Sequence, residues 1–436
     1  MPFPKTAVLS AALMTAAGLA HGAEIEFWYG NTGNVETAIL DACEAFNAAQ
    51  SEHEVICVGQ GGYEVGMQKA IAAYRSGQHP LLIQFFDAGT LDLMLSGAVV
   101  PVEELMPDID WDGYIAGARA YYETSDGRLF SQPYNSSTLL FYTNKTQLEE
   151  AGINETPSTW EEVIAAARKL KEAGHDCPFV TDAHPWRVLE QFAARHGLPI
   201  ASKHNGYDGL DAEYIFNRGL IAEHLTNLAS WRGEGLVRLN PDTKAGDYAA
   251  AFNSGECAMM EGSSGSYAAA KAAFGDQYEI TVTMAPMYEG HDRHNTLVGG
   301  ASIWVMKGHE EAEIEAAKAF LDFLRQPEQQ LAFTAATGYV PVTLDALEAL
   351  KASGKADAPE FATASVGIDT MNQPATEDSR GIRLGFYVQF RDIFMEEAQK
   401  AFNGDQTMQE ALDRAKARGD ELLRRFEQTY QGASLN

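Results

Sequence analysis

The sequence predicts an α/β protein of two lobes, with the chain crossing between them more than once and a ligand cleft where it crosses. Three observations carry this reading. Short apolar strands alternate with amphipathic helices from residue 25 onward. The same alternation starts again, with different sequence, after Pro133. No Pro/Ser-rich linker or low-complexity tract separates the halves, so the crossings belong to the folded body. Clefts at such domain interfaces are where small ligands usually bind.

The elements follow in order. Ile25, Phe27 and Tyr29 alternate with Glu26 and Trp28, which predicts a strand over 25–29. After the turn at 31–34, Val35, Ile39, Ala42 and Phe46 share one helical face. A strand at 54–58, a helix at 64–76 with Met67, Ile71 and Tyr74 on one side, and an apolar strand at 81–86 complete a unit. Its later strands do not alternate, which points to a largely parallel sheet covered on both faces. An extended run at 136–143 opens the second half, and Ser158, Thr159 and Glu161 suggest a capping box for a helix with Trp160, Val163, Ala167 and Leu170 inward. A mostly helical stretch reaches about residue 250, followed by strands at 256–260 and 301–306 around the turn-rich 261–266. Helix 310–325 turns Ile314, Ala317, Leu321 and Leu324 inward and stops before Pro327. An amphipathic helix through Leu412, Ala415, Leu422, Leu423 and Phe426 closes the chain. The expected division is 23–135 with 287–326 as one lobe and 136–286 with 327–436 as the other.

Composition narrows the function. With 45% apolar residues in 436, a large core is available and wholesale disorder is excluded. The 61 acidic residues outnumber the 32 Lys and Arg, giving −29, which repels nucleic acid and anionic membrane surfaces. Residues 1–22 read as an export signal: Lys5 is the positive start, 6–20 is an Ala/Leu-rich stretch too short to span, and small residues at Ala20 and Gly22 set cleavage before Ala23. The expected compartment is a periplasm, because no Cys stands at the cut to carry a lipid. Cys43, Cys57, Cys177 and Cys257 include no CxxC, which argues against a zinc ribbon or thioredoxin-like site. Cys43 and Cys57 fall close enough to bridge in an oxidising compartment, and small buried apolar residues fit equally well.

Catalytic and nucleotide motifs are missing. Gly59, Gly61 and Gly62 do not complete GxGxxG, no GxxxxGK[ST] occurs, and 262–266 misses GxSxG by one position. Neither HExxH nor an EF-hand loop is present, and the pair Glu103-Glu104 carries no weight among 61 acids. No metal or cofactor is expected.

A series of segments, in order along nearly the whole chain, resembles the sn-glycerol-3-phosphate-binding proteins of bacterial ABC importers. They are GYE at 62–64, SQPYNSST at 131–138, SKHNGYDG at 202–209, GECAM at 255–259 and SSGS at 263–266. GGASIWVM at 299–306, TGYVP at 337–341, GIRLG at 381–385 and LLRRFE at 422–427 continue the series. The resemblance implies a two-lobed, type II periplasmic-binding fold related to maltose-binding protein. It implies capture of sn-glycerol-3-phosphate or a glycerophosphodiester and delivery to the transmembrane permease of an ABC transporter, by a monomer that is not an enzyme.

It also implies ligand contacts at Tyr63, Asp87, Ser137, Trp186, Ser263, Gly300, Tyr339 and Arg391. The chemistry suits a phosphate: Arg391 has a planar fork, Ser137, Ser263 and Tyr339 have hydroxyls, and Gly300 has an unobstructed N–H. Tyr63 and Asp87 suit the glycerol end, because a carboxylate beside phosphate is repulsive; Arg391 is thus expected at the opposite end from Asp87. Two positions depart from the family: Asp87 stands where Glu is common, and Ala183 replaces one of two pocket tryptophans. Both enlarge the glycerol end, which ranks glycerophosphodiesters level with glycerol-3-phosphate. The alternatives are an uncharged sugar or oligosaccharide ligand and, from another class, a secreted hydrolase.

Overall fold

The computed structural model describes residues 22–433 except Ser125, so the signal at 1–22 lies outside the described residues apart from Gly22. The strands are β1 (Glu24–Tyr29), β2 (Glu54–Gly59), β3 (Leu82–Phe86), β4 (Val99–Val100), β5 (Gln132–Ser137) and β6 (Leu139–Asn144). They continue as β7 (Phe179–Val180), β8 (Val237–Arg238), β9 (Met259–Ser263), β10 (Ile280–Met284) and β11 (Gly299–Met306). One sheet has the order β2-β1-β3-β11-β4, with β5 also on β11; the other has the order β10-β6-β9-β7-β8.

The first sheet is mixed, correcting the expectation of a largely parallel one. β1 runs parallel to β2 and β3, whereas β11 is antiparallel to β3, β4 and β5. Apolar patterning reports burial on both faces, which β11 has, and carries no information about direction. Direction comes from the route: β11 enters from the second sheet, after the chain leaves β10.

The run at 136–143 is two strands in two sheets. Thr138 divides them: its Oγ1 lies 2.6 Å from Thr296 Oγ1 and 3.1 Å from the Leu297 carbonyl. The outgoing and returning crossings are therefore bonded side by side. Extended backbone on both sides of Thr138 hides the break from periodicity.

Helices cover the sheets largely as patterned. Helix Gly33–Ala49 buries Val35, Ile39 and Phe46. Helix Trp160–Glu172 buries Trp160, Val163, Ala167 and Leu170, and its capping box pairs Thr159 with Glu162. Helix Tyr63–Ser76 buries only Ala70, and its Ile71 and Tyr74 are 43% and 41% exposed, so the spacing located the helix without telling where its apolar face points. Helix Pro327–Thr337, assigned above to the second lobe, packs on helix Gly33–Ala49 beside the first sheet, with the Phe333 ring 5.1 Å from Tyr134, and also touches helix Tyr267–Phe274. Pro327 starts this helix rather than merely ending the one before it. Among the described residues no helix is long and apolar enough to cross a membrane.

Cys43 bridges Cys57 between a helix and the adjacent strand, and Cys177 bridges Cys257 across the second sheet. The bridges span 14 and 80 residues. Loop-closure entropy makes the longer one the more stabilising. Replacing Cys177 and Cys257 by Ala is expected to remove about 4 kcal/mol of unfolding free energy, and replacing Cys43 and Cys57 about 3 kcal/mol. Urea unfolding of the two double variants checks both the size and the order.

Candidate functional site

A cavity of about 220 Å³ is lined by residues from both halves of the chain, and all eight expected contact residues are among them. Several stand at carboxyl ends of strands, where backbone leaves the sheet and side chains converge. Asp87 follows β3, Ser137 ends β5 and Ser263 ends β9. Tyr63 opens helix Tyr63–Ser76 after Gly61 and Gly62, whose φ values of 92° and 153° favour glycine. Gly300 has φ 94°, and a Cβ there would lie 2.0 Å from the Asn135 carbonyl oxygen. Trp186 sits in the π-helical turn Trp186–Gln191, and Arg391 in helix Tyr387–Phe402. Tyr339 follows Gly338, the left-handed cap of helix Pro327–Thr337.

One side of the cavity is a wall of neutral donors. The Tyr63 ring stacks on Phe86 at 5.4 Å, and its Oη accepts bonds from Asn135 Nδ2 at 2.7 Å and Asn31 Nδ2 at 3.1 Å. Burial pushes the Tyr63 and Tyr339 hydroxyls above the ordinary phenol range, so both stay protonated. Ser263 Oγ accepts the Gly265 N–H at 3.2 Å, which leaves its own proton to donate.

The opposite corner is charged. Arg391 binds Glu190 bidentately, Nε to Oε1 at 2.8 Å and Nη2 to Oε2 at 2.6 Å, and its Nη2 lies 3.0 Å from Asp87 Oδ1. All three side chains are buried. Burial pushes the Asp87 carboxyl up to about 6, with Arg391 pulling down incompletely and Glu190 adding to the rise. Arg187 is held separately by Asp182, and its guanidinium lies over the Tyr248 ring at 4.3 Å. His184 is pushed down to about 3 by burial and by Arg391 and Arg187, so it is neutral at pH 7. Its Nδ1 accepts the Trp186 N–H at 3.1 Å, which puts the ring proton on Nε2.

A cavity walled from two sheets, bridged by paired crossings, is suited to enclosing one small polar molecule. Residues 41–363 match the family of bacterial extracellular solute-binding proteins. The chain belongs to that family. It is 35% identical over 420 residues to the sn-glycerol-3-phosphate-binding periplasmic protein UgpB of Yersinia enterocolitica, covering 93% of each chain. It is 34% identical over 424 residues to UgpB of Salmonella typhimurium, covering 92% of this chain and 93% of that one. The structure of Mycobacterium tuberculosis UgpB in complex with glycerophosphocholine superposes with TM-score 0.75 at 21% identity, over 92% and 99% of the two chains. The Streptomyces glaucescens GacH receptor, solved without ligand and with acarbose, gives TM-score 0.75 at 16% identity over the same shares. These two likenesses show the fold: the two-lobed α/β binding-protein architecture.

In this solute-binding protein the expectation that Arg391 and Asp87 lie at opposite ends of the cavity is overturned, because they form one ion pair. Arg391 is also bound by Glu190, 201 residues away in sequence. Sequence reading missed Glu190, His184, Arg187 and Phe86. The usable signal was proximity to Trp186: His184 and Arg187 flank it, and Glu190 lies four residues on, within reach of the same helical turn.

The buried corner gives a pH dependence. Between about pH 4 and 6 the folded state holds an Asp87 proton that the unfolded chain, at about 3.9, has released. The Asp87 contribution to stability therefore falls as pH rises through this window, by up to about 1.4 kcal/mol per unit, and no further above it. The Asp87→Asn variant lacks this slope. Urea unfolding at pH 4.5 and 6 is expected to show wild type losing about 1–2 kcal/mol relative to the variant, while the opposing His184 contribution cancels in the difference.

Proposed function

We propose that this protein captures sn-glycerol-3-phosphate and glycerophosphodiesters in the periplasm and hands them, as a monomer, to the permease of an ABC transporter. The observation that carries the reading is the 35% identity over 93% of the chain to sn-glycerol-3-phosphate-binding proteins, joined to one cavity lined by Tyr63, Asp87, Ser137, Trp186, Ser263, Gly300, Tyr339 and Arg391. The mechanism is binding and closure: only a closed form lets both lobes touch the ligand, so ligand shifts the population toward it. We take the crossings near Thr138 and Leu297 as the hinge, which keeps the first lobe boundary near 135 and moves the second from 287 to about 297.

Ligand orientation follows from charge. The Arg391 guanidinium already faces two carboxylates, so its corner carries an excess of acid and repels a phosphate. The hydroxyls of Ser137, Ser263, Tyr63 and Tyr339 and the Gly300 N–H offer neutral donors to phosphate oxygens. The glycerol hydroxyls then meet Asp87, which accepts, and Arg391, which donates. This reverses the assignment reached from sequence for Arg391 and Tyr63. On the resemblance noted above, Ala183 stands where the family has a second pocket tryptophan, and its small side chain beside His184 leaves room for a larger ligand.

Isothermal titration of ligand-stripped protein tests the reading. Micromolar or tighter binding is expected for sn-glycerol-3-phosphate and glycerophosphocholine, with none for maltose and no turnover of the diester. Ser137→Ala and Ser263→Ala are each expected to weaken both ligands about 10-fold, the cost of one charge-assisted bond. Ala183→Trp is expected to weaken glycerophosphocholine far more than glycerol-3-phosphate. Binding of maltose alone overturns the substrate and leaves the fold.

A further inference from the structure

Behind Tyr63 lies a set of buried amides whose donors and acceptors are fixed one by another. The Gly30 backbone N–H can only donate, and it donates to Gln84 Oε1 at 2.8 Å. Gln84 therefore turns Nε2 the other way, where it donates to Asn31 Oδ1 at 2.7 Å and Asn135 Oδ1 at 2.8 Å. Each asparagine, its oxygen taken, presents Nδ2 to Tyr63 Oη. Gln84 is 7% exposed and Asn135 fully buried, so flipping either of these two amides sets buried donors against donors with no water to relieve them, and half-buried Asn31 follows Gln84. A phenol oxygen that accepts two bonds keeps one proton to give. Tyr339 stands beside Tyr63 and the same two asparagines, so that proton goes either directly to a ligand or to Tyr339 Oη, which then gives its own outward.

We propose that Gln84 is a positioning residue that sets the hydrogen-bond polarity of the cavity wall. By fixing both asparagines it makes Tyr63 an obligate donor, and the wall then favours ligand groups that only accept. The oxygens of an ionised phosphate ester are such groups. A sugar hydroxyl must also place a proton, and Tyr63 Oη, with both asparagines donating to it, offers no acceptor for it. The inference rests on the phosphate-ester reading above and adds a residue remote from the ligand.

The test is a double-mutant cycle read by titration with sn-glycerol-3-phosphate. Gln84→Glu keeps the shape but accepts only: one oxygen still takes the Gly30 N–H, and the other draws the asparagine Nδ2 groups toward itself. Their oxygens then face Tyr63, which spends its proton on them. Gln84→Met removes the lock without adding charge. Each is measured alone and with Tyr63→Phe, and thermal unfolding checks that the variants fold. The expected loss is about 10–100-fold for Gln84→Glu and about 5-fold for Gln84→Met, both shrinking to within about 2-fold in the Tyr63→Phe background. An equal loss in both backgrounds would mean charge repulsion or structural damage and overturns the inference. Unchanged affinity in both single variants overturns it as well. Wild type that binds no phosphate ester overturns the functional reading itself, and this inference with it.

Discussion

Arg391 is a buried guanidinium between two buried carboxylates, and much of the site depends on that arrangement. The three side chains come from remote stretches of chain: Asp87 after a first-sheet strand, Glu190 in the π-helical turn, and Arg391 on helix Tyr387–Phe402. Taking such charges out of water is costly, and removing one partner leaves the others buried and unpaired, so the three segments are held together once formed. The corner cannot also serve as a free cation. On the proposed reading, that is why the phosphate falls to hydroxyls and a backbone N–H, and why an acid belongs beside the polyol.

On the proposed closure, the crossings set which of these contacts stay fixed. Thr138 joins the outgoing crossing to Thr296 and Leu297 on the returning one. Gln191 grips Leu297 in both directions, donating to its carbonyl at 2.9 Å and accepting its N–H at 3.2 Å. Ser137 and Gly300 adjoin this braced region, which on that reading puts them at the hinge. The Trp186 ring packs against Gly299 in the same region, whereas Tyr63 stands at the start of helix Tyr63–Ser76. On the proposed reading, closure completes the wall around a ligand whose central donors are already in place.

How much of this was legible in the sequence depends on the range of the interaction. Elements set by local periodicity, such as helices Gly33–Ala49 and Trp160–Glu172, were readable because burial follows a 3.6-residue spacing. The direction of β11, the break at Thr138 and the outward face of helix Tyr63–Ser76 were not, because each is decided by what packs opposite. The same division runs through the site. Its strand-end and glycine-loop residues sit in recognisable segments, whereas Glu190 meets Arg391 across 201 positions and Gln84 acts only through two intermediates. The Cys177–Cys257 bridge, across 80 residues, is a further case where spacing left open what the fold decides.

A chain with net charge −29 is an unexpected host for a phosphate ester until distances are considered. Two unit charges 15 Å apart in water interact by about 0.3 kcal/mol before screening, and salt at physiological strength damps them beyond about 8 Å. Most of the acidic excess is therefore nearly silent inside the cavity. Asp87 and Glu190 are the exceptions, because they stand at contact range in a buried corner. Their charge is partly answered by Arg391, and what remains points the anion toward the donor wall. On the proposed reading, ligand orientation is governed by three side chains at one end and by the direction of a few hydroxyl protons at the other. The amides behind Tyr63 matter for that reason: with the cavity's Arg187 and Arg391 already paired to carboxylates, the wall discriminates through which atoms donate.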